Sequence, residues 1–249
     1  MDSFISWIGG KKLLRDQIIE RFPAQIGRYI EVFGGAGWVL FRKEKHAAME
    51  VYNDINGELV NLFRCAKHHP EALQLELDLC LNSREIFYDY RAQQDMQGLT
   101  DIQRAARFFY LIRCSYGSEQ KSFACSKQAL PSAIKRINDI HTRLATVIIE
   151  NRDFEHLIHT YDRPDTLFFC DPPYFEAEGY YTGFSREDHE RLKEILKGIK
   201  GKFILTYNDH SYIRELYKDF HIEEIERAHN LTTRYNAGKY KELIIRNAG

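Results

Sequence analysis

Asp171-Pro172-Pro173-Tyr174 follows the apolar run Thr166-Leu167-Phe168-Phe169-Cys170, so an acid, two prolines and an aromatic ring stand together at the end of a strand. The prolines stop the strand, because neither has an N–H for the ladder and both fix φ. What they leave is a carboxylate and carbonyl oxygens, all of them acceptors. Such a set suits an exocyclic amine conjugated into an aromatic ring, for which adenine N6 is the example. The lone pair of that nitrogen is delocalised, so it is a poor nucleophile. Asp171 taking one N–H and the Pro172 carbonyl the other would favour a pyramidal nitrogen with its lone pair aimed at an electrophile. Tyr174 would stack on the flat base, which must leave a duplex before it can be reached. The plainer reading is an Asp-Pro turn; the aromatic neighbour and the apolar strand before it favour the chemical one.

Gly34-Gly35-Ala36-Gly37 follows a second strand-like run, Arg28-Tyr29-Ile30-Glu31-Val32-Phe33. Glycines there permit a tight turn and let a ligand approach bare backbone, although the spacing is not the G-x-G-x-x-G of dinucleotide sites. Asp54, at the end of the next strand, lies where an acid accepts hydrogen bonds from ribose hydroxyls, and it equally suits a helix N-cap before Ile55. Asp153 in Asn151-Arg152-Asp153-Phe154 has the same two readings: acceptor for a nucleobase amino group beside Phe154, or cap of the helix that begins there.

Positioning these groups requires an α/β framework. Strands are expected at 28–33, 48–52, 146–150, 167–170 and 202–207, with a late antiparallel pair near 222–225 and 242–246. Strand, glycine loop, helix, strand is a β-α-β opening. From Ile55 to Arg143 the pattern turns helical. Thr100-Asp101-Ile102-Gln103 is a capping box ahead of Ile102, Ala105, Ala106, Phe109 and Ile112. Asn82-Ser83-Arg84-Glu85 and Ser185-Arg186-Glu187-Asp188 open further helices, and Ser115 to Ala129 is a polar loop or small hairpin. The economical picture is one α/β domain, 1–56 and 146–249, interrupted by a mainly helical insertion at 57–145.

Bulk properties narrow the class. Hydrophobic residues at 44% and charged residues at 29% describe a soluble globular chain, and no apolar stretch reaches membrane-spanning length. The five cysteines form no C-x-x-C pair, which argues against a disulfide framework or zinc site and fits a reducing cytosol. Charge is unevenly placed. From Arg104 to Arg143 eight Lys and Arg face only Glu119 and Asp139, a net of +6, so the rest of the chain carries −7 against a total of −1. A basic segment in an acidic chain suits phosphate contact, solvated helix faces being the bland alternative. Lys121 and Lys127 belong to it, and Tyr116 in the polar loop is placed to wedge into a duplex. Phe109 and Tyr110 read as core, His68-His69 before Pro70 as a helix end, and His189 as a solvated residue.

Together these residues resemble the Dam-type DNA adenine methyltransferases, which transfer methyl from S-adenosylmethionine to adenine N6. Ser6-Trp7-Ile8-Gly9-Gly10-Lys11 is similar to that family's K-W-x-G-G-K element. Glu31-Val32-Phe33-Gly34-Gly35-Ala36-Gly37 is similar to its E-P-F-x-G-x-G loop. Asn53-Asp54-Ile55-Asn56 matches its acidic element and Asp171-Pro172-Pro173-Tyr174 its catalytic tetrapeptide. The run from Tyr235 to Asn247 resembles its closing E-L-(I/L)-I-x-N strand, and the motif order corresponds to the α arrangement.

The resemblance implies a Rossmann-like S-adenosylmethionine-dependent methyltransferase sheet with 57–145 as the target-recognition domain. Trp7, Lys11, Phe33, Gly35, Gly37, Asp54, Asp153 and Asp171 would line the cofactor site, and Asp171, Pro172 and Tyr174 would hold the base. Arg113, Ser115, Tyr116, Lys121 and Lys127 would meet double-stranded DNA. No metal is needed, since the sulfonium already carries an activated methyl, and a cytoplasmic monomer or weak dimer is expected. Three departures stand out. Val32 replaces the usual proline, Ser6 stands where the family has a lysine that can face DNA, and Arg113 to Phe123 lacks the family's R-Y-N…G-x-F-N-x-P run. GATC specificity therefore does not follow. The competing readings are methylation of RNA or a protein amide, for which N-P-P-Y is the related tetrapeptide, and a DNA-binding protein that no longer turns over.

Overall fold

A computed structural model describes residues 1–124, 129–175, 183–228 and 239–247. Along the chain run α1 (Arg15–Glu20), β1 (Arg28–Glu31), β2 (Met49–Asn53), α2 (Gly57–His68), α3 (Pro70–Asp78), α4 (Arg84–Ala92) and α5 (Asp101–Arg113). Then follow α6 (Ala129–Lys135), α7 (Ile137–Leu144), β3 (Ile148–Glu150), α8 (Phe154–Tyr161) and β4 (Thr166–Cys170). Last come α9 (Arg186–Gly198), β5 (Lys202–Asn208), α10 (Ser211–Leu216), β6 (His221–Ala228) and β7 (Lys239–Arg246). Among the described residues seven strands form one sheet in the order β3-β2-β1-β4-β5-β7-β6. The strands β1, β4 and β5 are parallel neighbours, and β7 runs antiparallel between β5 and β6. A parallel sheet that closes with an antiparallel hairpin is the α/β architecture the sequence implies.

The chain divides into two compact units, one comprising Met1–Gly10, Gly35–Glu44 and Tyr52–Asn151, the other Lys11–Gly34, Lys45–Val51 and Arg152–Gly249. The second holds the parallel strands. All five residues of β4 are buried, which is why Thr-Leu-Phe-Phe-Cys reads as a continuous apolar run rather than an alternation. Phe168 and Cys170 join Ile30, Val32, Phe203, Leu205 and Tyr207 in one core, closed by Leu157 and Ile158 of α8 and by Leu192 and Leu196 of α9. The sequence order reverses between β1 and β4, and in open α/β sheets ligands bind outside the carboxyl ends of strands at such a switch point. The tetrapeptide begins one residue beyond the end of β4.

The first unit takes in the whole helical stretch from 57 to 145. The predicted capping box is complete on α5: Gln103 N–H donates to Thr100 Oγ1 at 3.2 Å and Thr100 N–H to Gln103 Oε1 at 3.1 Å. Phe109 and Tyr110 are fully buried, as their spacing predicts. Tyr52 stacks on Phe63 with centroids 4.1 Å apart and planes within 9°, and Phe4 meets both Phe63 and Phe109.

Two expectations need correction. The helix expected between the glycine loop and β2 is a single 3-10 turn, Leu40–Arg42. Trp38, Val39, Leu40 and Phe41 are all buried, so this stretch has no polar face to present to water along a multi-turn helix. His189, expected in solvent, is 2% exposed: Phe175 and Phe184 pack on its ring, and its Nδ1 lies 2.7 Å from the Tyr207 hydroxyl.

Candidate active site

In the first unit the glycine loop is clamped at one peptide. Gly35 N–H donates to Asp54 Oδ2 at 2.9 Å, and the Tyr52 hydroxyl donates to the Gly35 carbonyl at 2.7 Å. Gly35 and Gly37 have φ of +49° and +68°, the left-handed region that favours glycine. Space excludes a side chain as well: a Cβ on Gly35 would sit 2.9 Å from Trp7 Cδ1, and one on Gly37 2.9 Å from Phe41. Trp7, Gly35 and Asp54, predicted from separate motifs, therefore meet around one turn of backbone. Asp54 is 7% exposed, and its other oxygen accepts from Asn56 N–H at 2.9 Å. Burial pushes its carboxyl pKa up, against the pull of the backbone N–H donors of Asn56, Gly35 and Ile55. The cap of α2 is Asn56, whose side chain accepts from Leu59 N–H, so Asp54 is free of that duty.

In the second unit the tetrapeptide meets Lys11. The Lys11 ammonium lies 2.7 Å from Asp171 Oδ1, and the Thr206 hydroxyl donates to the same oxygen at 2.7 Å. Among the described residues no donor is placed on the other oxygen, Oδ2, which leaves it for a further one. Pro172 is buried, while Asp171 keeps 16% of its side chain exposed. Desolvation pushes the Asp171 carboxyl pKa up; Lys11 and Thr206 oppose that shift, and the negative charge of Glu242 adds to it. The Tyr174 ring lies beneath the Lys11 ammonium, 4.6 Å from nitrogen to centroid, and its hydroxyl donates to Glu242 Oε2 at 2.7 Å. Lys11, read from resemblance as a cofactor residue, is thus the ion-pair partner of the predicted catalytic acid.

The other predicted residues fall as follows. Phe33 packs against Phe154 and Phe184, each at a centroid distance of 5.7 Å. Asp153 caps α8 through a bond from Glu155 N–H at 3.0 Å, and its second oxygen accepts from Arg191 at 2.6 Å. Arg113 closes α5. Ser115 and Phe123 form an antiparallel bridge, so residues 115–123 of the polar stretch make a small hairpin. Ser115 uses its hydroxyl inside that hairpin, donating to the Ile112 carbonyl and accepting from Gln120 N–H. Tyr116, whose N–H donates to the Ser122 carbonyl beside that bridge, is 61% exposed, and Lys121 is exposed on the return. Lys127 lies outside the described residues.

Residues 7–231 match the family model for D12 class N6 adenine-specific DNA methyltransferases. The chain belongs to that family. This adenine methyltransferase is 31% identical over 282 residues to the Type II methyltransferase M1.LlaDCHI of Lactococcus lactis subsp. cremoris, covering 99% of its own length and 95% of the relative. It is 26% identical to the Type II methyltransferase M.CviBI of Paramecium bursaria Chlorella virus NC1A, over 91% and 90% of the two chains. With the DNA adenine methylase of Haemophilus influenzae it shares 24% identity, over 97% and 92%. Among solved structures, an rRNA methylase from Streptococcus thermophilus aligns over 94% of each chain at 9% identity, with a TM-score of 0.40.

Three groups around the methyltransferase's tetrapeptide and loop were not singled out from sequence. Thr206 carries a signal, a hydroxyl within the apolar strand Phe203-Ile204-Leu205-Thr206-Tyr207. Glu242 carries another, an acid directly before Leu243-Ile244-Ile245. Asn151 Nδ2, which donates to the Asp54 and Ile55 carbonyls, has no comparable sequence mark. Among the described residues no His, Cys, Asp and Glu cluster is placed to hold a metal ion, and no helix is long and apolar enough to cross a membrane.

Proposed function

We propose that the enzyme binds S-adenosylmethionine at the glycine loop and holds a flipped-out adenine of double-stranded DNA at Asp171-Pro172-Pro173-Tyr174. The cofactor supplies a methyl on a positively charged sulfur. The loop fits it: at Gly35 and Gly37 the backbone is bare, the Trp7 ring borders it, and the buried Asp54 carboxylate fixes its turn. Phe33 and Lys11 are cofactor-binding candidates of the second unit. Asp153 contributes least, because the helix cap and Arg191 already engage its oxygens.

One observation carries the assignment of the base site. Lys11 and Thr206 both bond Asp171 Oδ1, which directs Oδ2 to the substrate amine. With Oδ2 accepting one N6–H and the Pro172 carbonyl the other, the nitrogen lone pair is drawn out of conjugation. As N6 gains a fourth bond it becomes cationic and must lose a proton. Asp171, whose proton affinity burial has raised, takes that proton at Oδ2. Tyr174 stacks on the base, and segment 57–145 reads the duplex with Arg113, Tyr116, Lys121 and Lys127; Ser115, buried with its hydroxyl engaged by Ile112 and Gln120, contributes least.

Base-resolved mapping of unmodified plasmid after incubation with enzyme and labelled S-adenosylmethionine tests this reading. Label on adenine N6 at a defined sequence is the expected result. Label confined to RNA or to protein amides overturns it.

A further inference from the structure

Glu242 stands in β7, opposite Asn208 of β5 and Ile225 of β6, and only 4% of it is exposed. Carboxylates are rarely buried that far without a partner. Its Oε2 accepts the Tyr174 hydroxyl at 2.7 Å and lies 4.0 Å from the Lys11 ammonium. One ammonium therefore serves two buried carboxylates, while the second carboxylate grips the ring of the tetrapeptide. Among the described residues Tyr174 is held by Glu242 at its hydroxyl, by Lys11 at its face and by Tyr207 at a flank, 6.1 Å between centroids.

We propose that Glu242 is a positioning residue for methyl transfer, fixing the Tyr174 ring on which the target base stacks and sharing Lys11 with Asp171. The proposal rests on the base site assigned above. A ring with a free hydroxyl rotates about two side-chain torsions; tied to a strand of the central sheet, it presents one face. The arrangement also links the ring on which the base stacks to the acceptor through one ammonium, 2.7 Å from Asp171 and 4.0 Å from Glu242. Among the described residues the titratable groups around Asp171 are Lys11, Glu242 and Cys170, with Tyr174 beneath the ammonium. Cys170 is fully buried, and burial pushes its thiol pKa far above the ordinary range, so it stays neutral. Among the described residues Glu242 is the neighbour whose negative charge raises the Asp171 pKa.

Three variants test this: Glu242→Gln, which keeps an acceptor but removes the charge; Tyr174→Phe, which keeps the ring but removes the hydroxyl; and Glu242→Ala. Single-turnover methylation is followed across pH, together with the fluorescence of 2-aminopurine placed at the target position. In Glu242→Gln the acid limb of the rate profile moves to lower pH by at least about 0.5 unit, because a like charge has left Asp171. In Glu242→Ala and Tyr174→Phe the 2-aminopurine signal of the bound duplex changes and the rate falls by about 10-fold, with a smaller change in DNA affinity. The double variant Glu242→Ala/Tyr174→Phe falls no further than Glu242→Ala alone. An unmoved acid limb in Glu242→Gln overturns the proposal, as does a rate within twofold of the parent in Tyr174→Phe. Should Glu242→Ala fail to fold, the two conservative variants still decide. A parent enzyme that places no methyl on adenine defeats the base-site reading itself, a separate result.

Discussion

At Gly35 the loop is held by backbone: its N–H reaches Asp54, its carbonyl takes the Tyr52 hydroxyl, and its left-handed turn leaves no room for a Cβ beneath Trp7. At Asp171 almost everything rests on side chains, with an ammonium, two carboxylates, two hydroxyls and a ring gathered in a poorly solvated corner. The first arrangement is shape, and it suits recognition of a fixed ligand by close approach. The second is charge placed in advance, and it suits a nitrogen whose own charge changes during reaction. Shape tolerates loss of one contact by shifting; a buried charge left alone does not.

That contrast sets the order of expected effects. Replacing Asp171 by Asn removes the acceptor of the amine proton, and methyl incorporation into duplex DNA falls by about 10³-fold or more. On the proposed reading the charged carboxylate is the working form, and burial raises its pKa. Activity is therefore full at neutral pH and is lost, as pH falls, through a midpoint above the 3.8 of an ordinary aspartate. A rate flat down to that value breaks the assignment.

Lys11→Met leaves Asp171 and Glu242 buried without their shared cation. Urea denaturation should show a loss of about 3–5 kcal/mol, the cost of breaking a buried pair by removing one partner. A loss below about 1 kcal/mol would place the pair on the scale of surface ion pairs. Gly35→Ala is milder. The left-handed turn costs about 1–2 kcal/mol for an L-residue, and the clash with Trp7 adds to it, so S-adenosylmethionine binds more weakly by titration calorimetry. In a Trp7→Ala background the same change loses the clash but keeps the strained φ, and the stability difference shrinks accordingly. Smallest is Lys121→Gln, which lowers the slope of log affinity against log salt by about 1 and weakens DNA binding evenly across sequences.

Much of this was legible beforehand, for physical reasons. Capping boxes at Thr100 and Ser185 announce helices because they satisfy backbone donors locally, and both helices stand where those residues put them. The apolar run before Asp171 announces a buried parallel strand, and the late hairpin of β6 and β7 follows from its two apolar runs. The helix expected after Gly37 failed because periodicity cannot separate a buried helix from a buried irregular stretch. His189 was misplaced for a similar reason. Its neighbours along α9 are polar, and the rings that cover it come from ahead of the helix: Phe184, just before the Ser185 cap, and Phe175.

In the site, acids and glycines were visible because their chemistry shows in one residue type. The pairing of Lys11 with Asp171, the Thr206 bond and the Glu242 anchor were not, since each is a contact between distant segments that only the folded sheet creates. Asp153 shows the converse: the same residue type at the end of a strand serves as a cap, and sequence alone leaves the two uses level.

The place of β7 bears on how the enzyme comes to life during synthesis. It enters the sheet between β5 and β6, although both precede it in the chain. A ribosome therefore releases Lys11 and the tetrapeptide long before Glu242, and the half-built sheet has an open slot where a strand belongs. Until that slot fills, the nascent protein has its acid and its cation but not the brace for its aromatic ring. On the proposed reading, methyl transfer therefore waits for β7, which is made after the other six described strands.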